Sequence, residues 1–491
     1  MKTFKIIKII LVLILITVSC SDFNSSRKYY FAFFDFPDTF IPNKVDQVKI
    51  TSILSNFYCS LVEYDPYMRI VPSLATSWAN IDDTTWVFYL RKGVYFHDGK
   101  IFNAYDVKFT IENVKSNRDY EKNIYLNTIK KIEILNDYEI KLITDGADPT
   151  LLGKFTNIYI INSSSKKNFS FNGTGSLIVE KIKNDAIIAK PFNRFWRGKV
   201  DVYQIIFKFY NNPKNVVDDY VNRKIDLIAE CNYPMLNKIN ENKSKKLEGT
   251  ESTLRYIGFN LRKYPFNNRY FRKAISFSID RGKMVEDIYQ GLAVPANQFI
   301  SPLLFGFNPK RKENLYNSDS AKYYMKKSGI KTPFKCKLLA SPRRIDMINF
   351  IKEQLALIGV EIIADTFSAK KLFKMLDLFD FDIFLIASAP ALDDGSDIIN
   401  DMFYSHRKTN KGFHNRSGYG NREVDSLSDE LDNIMDKKIR NSMEWRIQDI
   451  ILDDMPIIPI VFEKDFYFIS DKVNFYPRAD SKISIREIIF K

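Results

Sequence analysis

The sequence predicts an α/β protein built from several domains. Two successive segments, 334–359 and 360–376, each begin with a short apolar run and continue with an amphipathic helical pattern. Such strand and helix pairs are typical of α/β folds. The chain has 491 residues, 45% of them hydrophobic and 27% charged. At roughly 150 residues per domain we therefore expect two to four domains, each large enough to bury a core.

The chain begins with a segment that predicts export. Three lysines precede a ten-residue apolar run at 9–18, and Ser19 stands directly before Cys20. The run is too short to cross a bilayer core of about 30 Å, so we expect a signal peptide over 1–19. The ending 17–20 resembles a bacterial lipobox, which implies lipid attachment at Cys20. We expect an exported protein, anchored to a bacterial membrane and facing the periplasm or the exterior.

The formal net charge of the chain is +14, and removal of the signal peptide takes away three lysines, leaving about +11. A basic chain can bind nucleic acid, but export separates this protein from nucleic acid. Its charges are also scattered along the sequence and form no stripe. We therefore expect a solvated surface and no nucleic-acid partner.

Motifs for catalysis or metal binding are missing from the sequence. Of the three histidines, His97 belongs to a turn motif, and His406 and His414 are eight residues apart without a Cys or acidic partner at ligand spacing. No G-x-S-x-G or H-E-x-x-H motif occurs. The acidic pairs at 218–219 and 453–454 lie in amphipathic contexts typical of solvated helix faces. We expect no metal, no cofactor and no enzymatic activity, which leaves binding as the function.

The most informative stretch lies between residues 71 and 107. Apolar side chains alternate along 86–90, which predicts a strand with one face on a core. The sequence His-Asp-Gly-Lys at 97–100 predicts a turn. Asn103, followed three residues later by Asp106, predicts the start of an amphipathic helix.

The order of these pieces resembles the signature of the large, peptide-binding type of solute-binding protein that serves ABC importers. The positions that fit are Pro72, Leu74, Ala75, Ser77, Trp78, Leu90, Arg91, Gly93, Val94, Phe96, His97, Asp98, Gly99, Ala104, Asp106 and Val107. Further family-like segments follow in the family's order at 271–281, 415–425 and 455–460. The resemblance implies a structural role for Trp78, Arg91, His97, Asp98, Gly99 and Asp106.

The resemblance implies a two-lobed periplasmic-binding-protein-like α/β fold of type II, in its large three-domain form. Lobe I would be discontinuous, at 20–58, 170–256 and 462–491, with an inserted domain II at 59–169. Lobe III would span 257–461. A solute would be captured between lobes I and III by hinge closure and delivered to the permease of an ABC transporter. We expect a monomer.

The loop after the predicted strand 381–387 bears on the ligand. In peptide-binding relatives an Asp in this loop pairs with the α-ammonium of the peptide. An ungapped comparison from Phe381 places Ala391 at that position and Ser388 where a Trp is expected. Asp393 and Asp394 follow. Two alternatives stay open: one of these aspartates replaces the anchor, or they cap the next helix. The candidate ligand contacts are Ser388, Ala389, Pro390, Asp393, Asp394 and, from lobe I, Phe36.

The departures in this loop leave three interpretations of function open. The first is capture of peptides through backbone hydrogen bonds. The second is the same fold with another solute, such as an oligosaccharide or a capped or modified peptide. The third is a surface lipoprotein that acts as an adhesin or sensor without transport. A buried cleft of ligand size between the lobes would favour capture of a solute.

Overall fold

The computed structural model describes residues 27–164, 171–229, 231, 235, 239, 245–311, 316–405 and 411–491, with the side chains of Glu251 and Ser252 excepted. The predicted signal peptide, the lipid-attachment residue Cys20 and His406 lie outside the described residues.

The described residues contain both strands and helices along their whole length. The strands are β1 Lys28–Phe34, β2 Val62–Tyr64, β3 Ile70–Pro72, β4 Ala75–Asp82, β5 Thr85–Leu90, β6 Ile129–Asn136, β7 Glu139–Thr144, β8 Leu177–Lys183, β9 Ala186–Pro191, β10 Gln204–Tyr210, β11 Leu227–Ile228, β12 Lys245–Phe259, β13 Ala293–Pro295, β14 Phe334–Ala340, β15 Val360–Thr366, β16 Ile383–Ser388, β17 Ile457–Ile469, β18 Val473–Asn474 and β19 Ile489–Phe490. The helices are α1 Val48–Leu54, α2 Ala104–Ser116, α3 Leu151–Thr156, α4 Pro213–Val221, α5 Arg269–Ser278, α6 Arg281–Asp287, α7 Ser318–Ser328, α8 Ile345–Ala356, α9 Ala369–Asp377, α10 Gly395–Met402, α11 Arg422–Leu431 and α12 Lys437–Asp454.

Two long antiparallel strands, β12 and β17, lie side by side in the middle of the large sheet. The sheet has the order β15-β14-β16-β12-β17-β11-β1-β10-β9-β8, and β13 also pairs with β17. Residues 245–248 of β12 pair with 466–469 on the side of β11 and β1. Residues 254–258 pair with 457–462 on the side of β16. Register shifts separate these two halves, so the same strand pair serves both lobes and is irregular between them.

The α/β class is confirmed on both sides of this strand pair. The two predicted strand and helix units are β14 with α8 and β15 with α9, and β14 and β15 pair in parallel. Aliphatic side chains of β14, α8 and β15 contribute to one core cluster of lobe III, and Leu372 and Leu376 of α9 lie in a second. The core of lobe I is aromatic, because β1 and β10 pair in parallel and place Phe31, Phe33, Phe207 and Phe209 on one face.

A separate four-stranded antiparallel sheet, in the order β4-β5-β7-β6, lies within residues 75–144. The strand predicted at 86–90 is β5, and the predicted helix start is α2. Asn103 Oδ1 accepts a hydrogen bond from the Tyr105 amide at 2.9 Å, and the Asn103 amide donates to Asp106 Oδ2 at 3.0 Å. This capping box fixes where the helix begins. The boundaries given above for domain II and the lobes stay predictions.

Residues of the signature stretch connect this sheet to the segment 171–198. The Arg91 guanidinium lies over the Trp196 ring at 4.3 Å. His97 Nδ1 lies 2.8 Å from the Phe171 carbonyl oxygen, and Nε2 lies 3.2 Å from that of Gly175. Burial lowers the pKa of His97, and a neutral imidazole has a single N–H, which donates to one of these two oxygens.

Candidate functional site

A cavity of about 340 Å³ lies beside the paired strands β12 and β17. Its wall comes from both lobes and from the strands that join them. The lining residues are Phe33, Val48, Lys49, Ser52, Ala229, Cys231, Thr253, Arg255, Arg344, Ala389, Glu463, Lys464, Asp465, Phe466, Tyr467, Ser481 and Ile483. This volume is at the small end of ligand pockets, which span roughly 300–1,000 Å³. The cavity therefore suits a short solute.

Glu463 organises the charges on the β12 side of the cavity. Arg255 Nε and Nη2 donate to its two carboxylate oxygens at 3.1 and 2.7 Å. Arg344 Nη1 and the Tyr289 hydroxyl both donate to Oε1, at 3.2 and 2.8 Å. Burial opposes ionisation of Glu463, but the two arginines outweigh burial and hold its pKa at about 2. Glu463 is therefore a carboxylate at physiological pH and orients both guanidinium groups.

Asp465 lies two residues further along β17 and has fewer partners. The Ser481 hydroxyl donates a hydrogen bond to Asp465 Oδ2. Within the described ranges the structure gives Asp465 no ion pair with a Lys or Arg side chain. Burial raises the pKa of Asp465 to about 6, against the opposing hydrogen bond from Ser481. This carboxylate is the one on the cavity wall that no arginine neutralises.

The remaining charges on the wall are positive. Lys49 Nζ donates to the carbonyl oxygens of Phe34 and Asp35 at 2.7 and 3.1 Å, and Lys464 also lines the cavity. Four cationic side chains thus face two carboxylates. This excess favours a solute that carries at least one anionic group.

The two lobes contact each other near this site. Arg343, beside the cavity residue Arg344, lies 3.9 Å from the Asp35 carboxylate. Its guanidinium lies 5.8 Å from the centre of the Phe34 ring. Asp35 follows β1 in lobe I, whereas Arg343 precedes α8 in lobe III. This exposed ion pair therefore spans the gap between the lobes.

The loop 388–395, in which most candidate ligand contacts were predicted, contributes little to the cavity. Of the predicted contacts, Ala389 alone is among the lining residues of the cavity. Ser388 and Pro390 lie against a small apolar depression with Leu254 and Phe299. The remaining predicted contact, Phe36, packs on aromatic side chains of lobe I, with ring centroids 5.5 Å from Phe40 and 4.8 Å from Phe209.

Asp393 lies at the contact between this loop and domain II. The Tyr64 hydroxyl donates to Asp393 Oδ1 at 2.8 Å, and the Asp393 amide donates to the Tyr64 oxygen at 3.1 Å. A Cβ atom on Gly153 would lie 2.7 Å from the same Oδ1, so only glycine leaves room for this carboxylate. Leu392 is 2% exposed within the core of domain II. The loop is therefore docked on domain II.

Asp394 has the helix-capping role that was one of the two predicted alternatives. Its Oδ1 accepts from the Ser396 amide at 2.9 Å at the start of α10. Arg440 Nη2, on α12, donates to both of its oxygens at 2.9 Å. Arg440 is itself buried, so the pair fixes the loop to lobe III.

Sequence reasoning missed the charged side chains that line the cavity. Arg255 and Glu463 are 208 positions apart, and no local pattern relates them. One signal was present in the sequence: Glu463 and Asp465 interrupt an apolar run at 457–469 that otherwise reads as a buried strand. Carboxylates in a buried strand need partners, which makes them candidates for a site.

Two features are absent from the described residues. No helix there combines the length and the apolar composition needed to cross a membrane. No group of three or more His, Cys, Asp or Glu side chains in the described ranges is arranged to hold a metal ion.

Comparisons with known proteins agree with this architecture. The sequence model of the bacterial extracellular solute-binding proteins, family 5, matches residues 69–410. Heme-binding protein A of Haemophilus influenzae is 24% identical over 465 residues, which cover 86% of this chain and 84% of that protein.

Two solved structures show the same fold. The periplasmic binding protein DppA of Helicobacter pylori, in complex with the peptide STSA, superposes with a TM-score of 0.82 at 21% identity, covering 95% of this chain and 98% of that one. The substrate-binding protein CtaP of Listeria monocytogenes gives a TM-score of 0.86 at 20% identity, covering 95% and 99%. The chain belongs to the bacterial extracellular solute-binding proteins of family 5.

Proposed function

We propose that this protein captures a short peptide, or a solute with the same charged groups, in the cavity beside β12 and β17. The observation that carries the proposal is the charged, ligand-sized cavity lined by residues of both lobes. The Helicobacter pylori protein of the same fold holds a peptide, which supports this solute class. The heme-binding relative shows that ligands differ among similar proteins.

Arg344 is the residue that we propose to bind the anionic group of the solute. Arg255 is committed to a two-pronged contact with Glu463. Arg344 makes a single contact with Glu463, and 26% of its side chain is exposed. A guanidinium has five N–H donors, so Arg344 keeps donors for a carboxylate.

Capture would proceed by movement of the lobes about the two long strands. Two register shifts of β12, between residues 248 and 253, lie between its lobe I and lobe III halves. Rotation there would open and close the cavity while the strand pairing on either side is kept. The closed protein would then deliver its solute to the permease of an ABC transporter.

The small size of the cavity also bears on the adhesin or sensor interpretation. A binding surface for another macromolecule needs roughly 800 Å² of accessible area per partner, whereas the charges described here converge on a cavity of about 340 Å³. This arrangement favours capture of a solute.

The position of the protein in the cell completes the proposal. We propose that residues 1–19 are removed as a signal peptide, that Cys20 is lipidated, and that the monomer faces away from the cytoplasm. Cys20→Ser would then move the protein from the membrane fraction to the soluble fraction, as followed by immunoblot. Retention of that variant in the membrane fraction would contradict lipid anchoring at Cys20.

Thermal-shift screening of the delipidated mature protein tests the solute class. Pools of free-amine peptides of two to six residues, capped peptides and oligosaccharides are compared. A solute at about 100 times its Kd adds about 2.7 kcal/mol to the free energy of unfolding, which raises the melting temperature. We expect the free-amine pools to do so. A shift with oligosaccharides alone would contradict the proposal.

The role of Arg344 is tested with a variant and a matched control. Arg344→Ala should weaken binding of a peptide identified by the screen by at least about tenfold, because a desolvated carboxylate loses its charged donor. Lys352→Ala removes an exposed charge from the nearby helix α8 and should leave affinity unchanged. Equal affinities for the two variants would contradict the role of Arg344.

A further inference from the structure

We propose that Asp465 binds the ammonium group of the solute, so that the solute lies with its amine toward Asp465 and its carboxylate toward Arg344. This inference rests on the proposed function and adds to it the orientation and the length of the solute. It assigns the amine to the hinge strand β17, away from the loop 388–395.

The first argument is that the carboxylates of the loop lie away from the cavity wall. Ala391 occupies the expected anchor position, and its carbonyl oxygen accepts a hydrogen bond from Asn157 of domain II at 2.8 Å. Asp393 accepts from Tyr64, and Asp394 is paired with Arg440. Neither aspartate lines the cavity. An ammonium group bound in the cavity would therefore have no carboxylate of this loop beside it.

The second argument is the difference between the two carboxylates on the cavity wall. Glu463 contacts two arginines and a tyrosine hydroxyl. Among the described residues, Asp465 receives a hydrogen bond from the Ser481 side chain and forms no ion pair. Because a carboxylate offers about four acceptor sites, Asp465 retains capacity for the donors of an ammonium group.

The third argument is distance. Residues two apart on a strand are separated by about 6.6 Å, so Glu463 and Asp465 are separated by about that length. Arg344 is hydrogen-bonded to Glu463 at 3.2 Å. An extended dipeptide spans about 6.6 to 7.2 Å, which matches the spacing of the two acidic positions along β17. The proposed solute class is therefore a dipeptide, or a molecule of that length, with a free amine and a free carboxylate.

Burial of Asp465 is consistent with this role. A half-buried carboxylate whose pKa is raised to about 6 is stabilised in its ionised form when a cation arrives. The other charged groups facing it are Glu463 and Lys464 on β17, Arg255 on β12, Arg344 before α8 and Lys49 on α1. None of these four cations is paired with Asp465 in the described part of the chain.

The test compares a pool of dipeptides with the same pool after N-terminal acetylation, which removes the amine charge and keeps the carboxylate. Melting temperature and calorimetric affinity are measured for the wild type, Asp465→Asn and the control Asp393→Asn. We expect the wild type and the control to prefer free amines by at least tenfold. Asp465→Asn should bind both pools equally, because it keeps the volume and the Ser481 contact but loses the charge.

Three results would overturn the inference. The wild type could bind the two pools equally. It could also respond to longer free-amine peptides and to neither dipeptide pool. Either of these results would leave the proposed function intact. Asp465→Asn could keep the wild-type preference, which would place the amine elsewhere. If no peptide of any length bound to the wild type, the proposed function itself would be wrong. The comparison of the pools on the wild type needs no variant to fold.

Discussion

The loop 388–395 and the strand segment 463–465 each carry two carboxylates, and the two regions use them differently. In the loop, Asp393 and Asp394 hold chain segments together, through Tyr64 of domain II and Arg440 of lobe III. In the strand, Glu463 orients two arginines on the cavity wall, and Asp465 has no arginine or lysine partner among the described residues. The role of each acid therefore follows from its partners and not from its closeness to the family's anchor position.

The difference has a physical cause. Leu392 is buried in the core of domain II, and this contact brings the following residue, Asp393, against Tyr64. Burial raises the pKa of Asp393. The ionised carboxylate is therefore disfavoured at this site unless a hydrogen-bond donor contacts it. Beside the paired strands β12 and β17, by contrast, the side chains line a cavity. The following variants test this contrast, in order of decreasing effect.

Glu463→Gln should have the largest effect on stability. It leaves Arg255 buried without a counter-charge, and breaking a buried pair in this way removes about 3–5 kcal/mol from the free energy of unfolding. Chemical denaturation measures the change. Glu361→Gln, which removes an acid from an exposed pair on β15, is the control and should change stability by less than about 1 kcal/mol.

Asp394→Asn should destabilise the protein by about 2–4 kcal/mol, because Arg440 is buried and loses its charged partner. Asparagine still caps a helix, which limits the loss. The affinity of the folded protein for its solute should not change, since Asp394 lies off the cavity wall. A large loss of affinity at temperatures where the variant is folded would show that the loop takes part in binding after all.

Tyr64→Phe should destabilise the protein by about 1–3 kcal/mol, because it leaves the half-buried Asp393 without its hydroxyl donor. A double-mutant cycle with Asp393→Asn, followed by urea denaturation, isolates the contact between the two side chains. We expect a coupling of about 1 kcal/mol. Strictly additive losses would mean that the loop is held on domain II by Leu392 alone.

The smallest predicted effect is a pH dependence of affinity. With a pKa of about 6, Asp465 is mostly protonated at pH 5 and mostly ionised at pH 7. Affinity for a free-amine dipeptide should rise about tenfold over this range, and the rise should be absent in Asp465→Asn. For the protein without solute the sign is opposite. A raised pKa means that the folded state holds the extra proton, so this group lowers stability as pH rises through about 6.

The fold was predictable because its signals are local or ordered along the chain. Asn103 and Asp106 are three residues apart and close a capping box, and the apolar periodicity at 334–376 marks two strand and helix units. Helix capping by Asp394 follows from the same kind of short-range pattern.

The cavity was not predictable in the same way. Glu463 contacts Arg255, Tyr289 and Arg344, which lie 119 to 208 residues earlier. These residues come together only in the folded protein, beside the paired strands β12 and β17. Leu392 looks like an ordinary apolar loop residue in the sequence, although it is buried in another domain. Charge pairs that depend on tertiary contact leave no periodic trace, so the prediction placed the ligand contacts in the loop.

A crystal structure of the wild-type protein with a free-amine dipeptide from the screen tests the central claim most directly. The account predicts electron density inside the cavity, with the ligand carboxylate within hydrogen-bonding distance of Arg344 and the ligand amine against Asp465. Density that places the amine on Asp393 or Asp394, or that lies outside the space between the lobes, would contradict it.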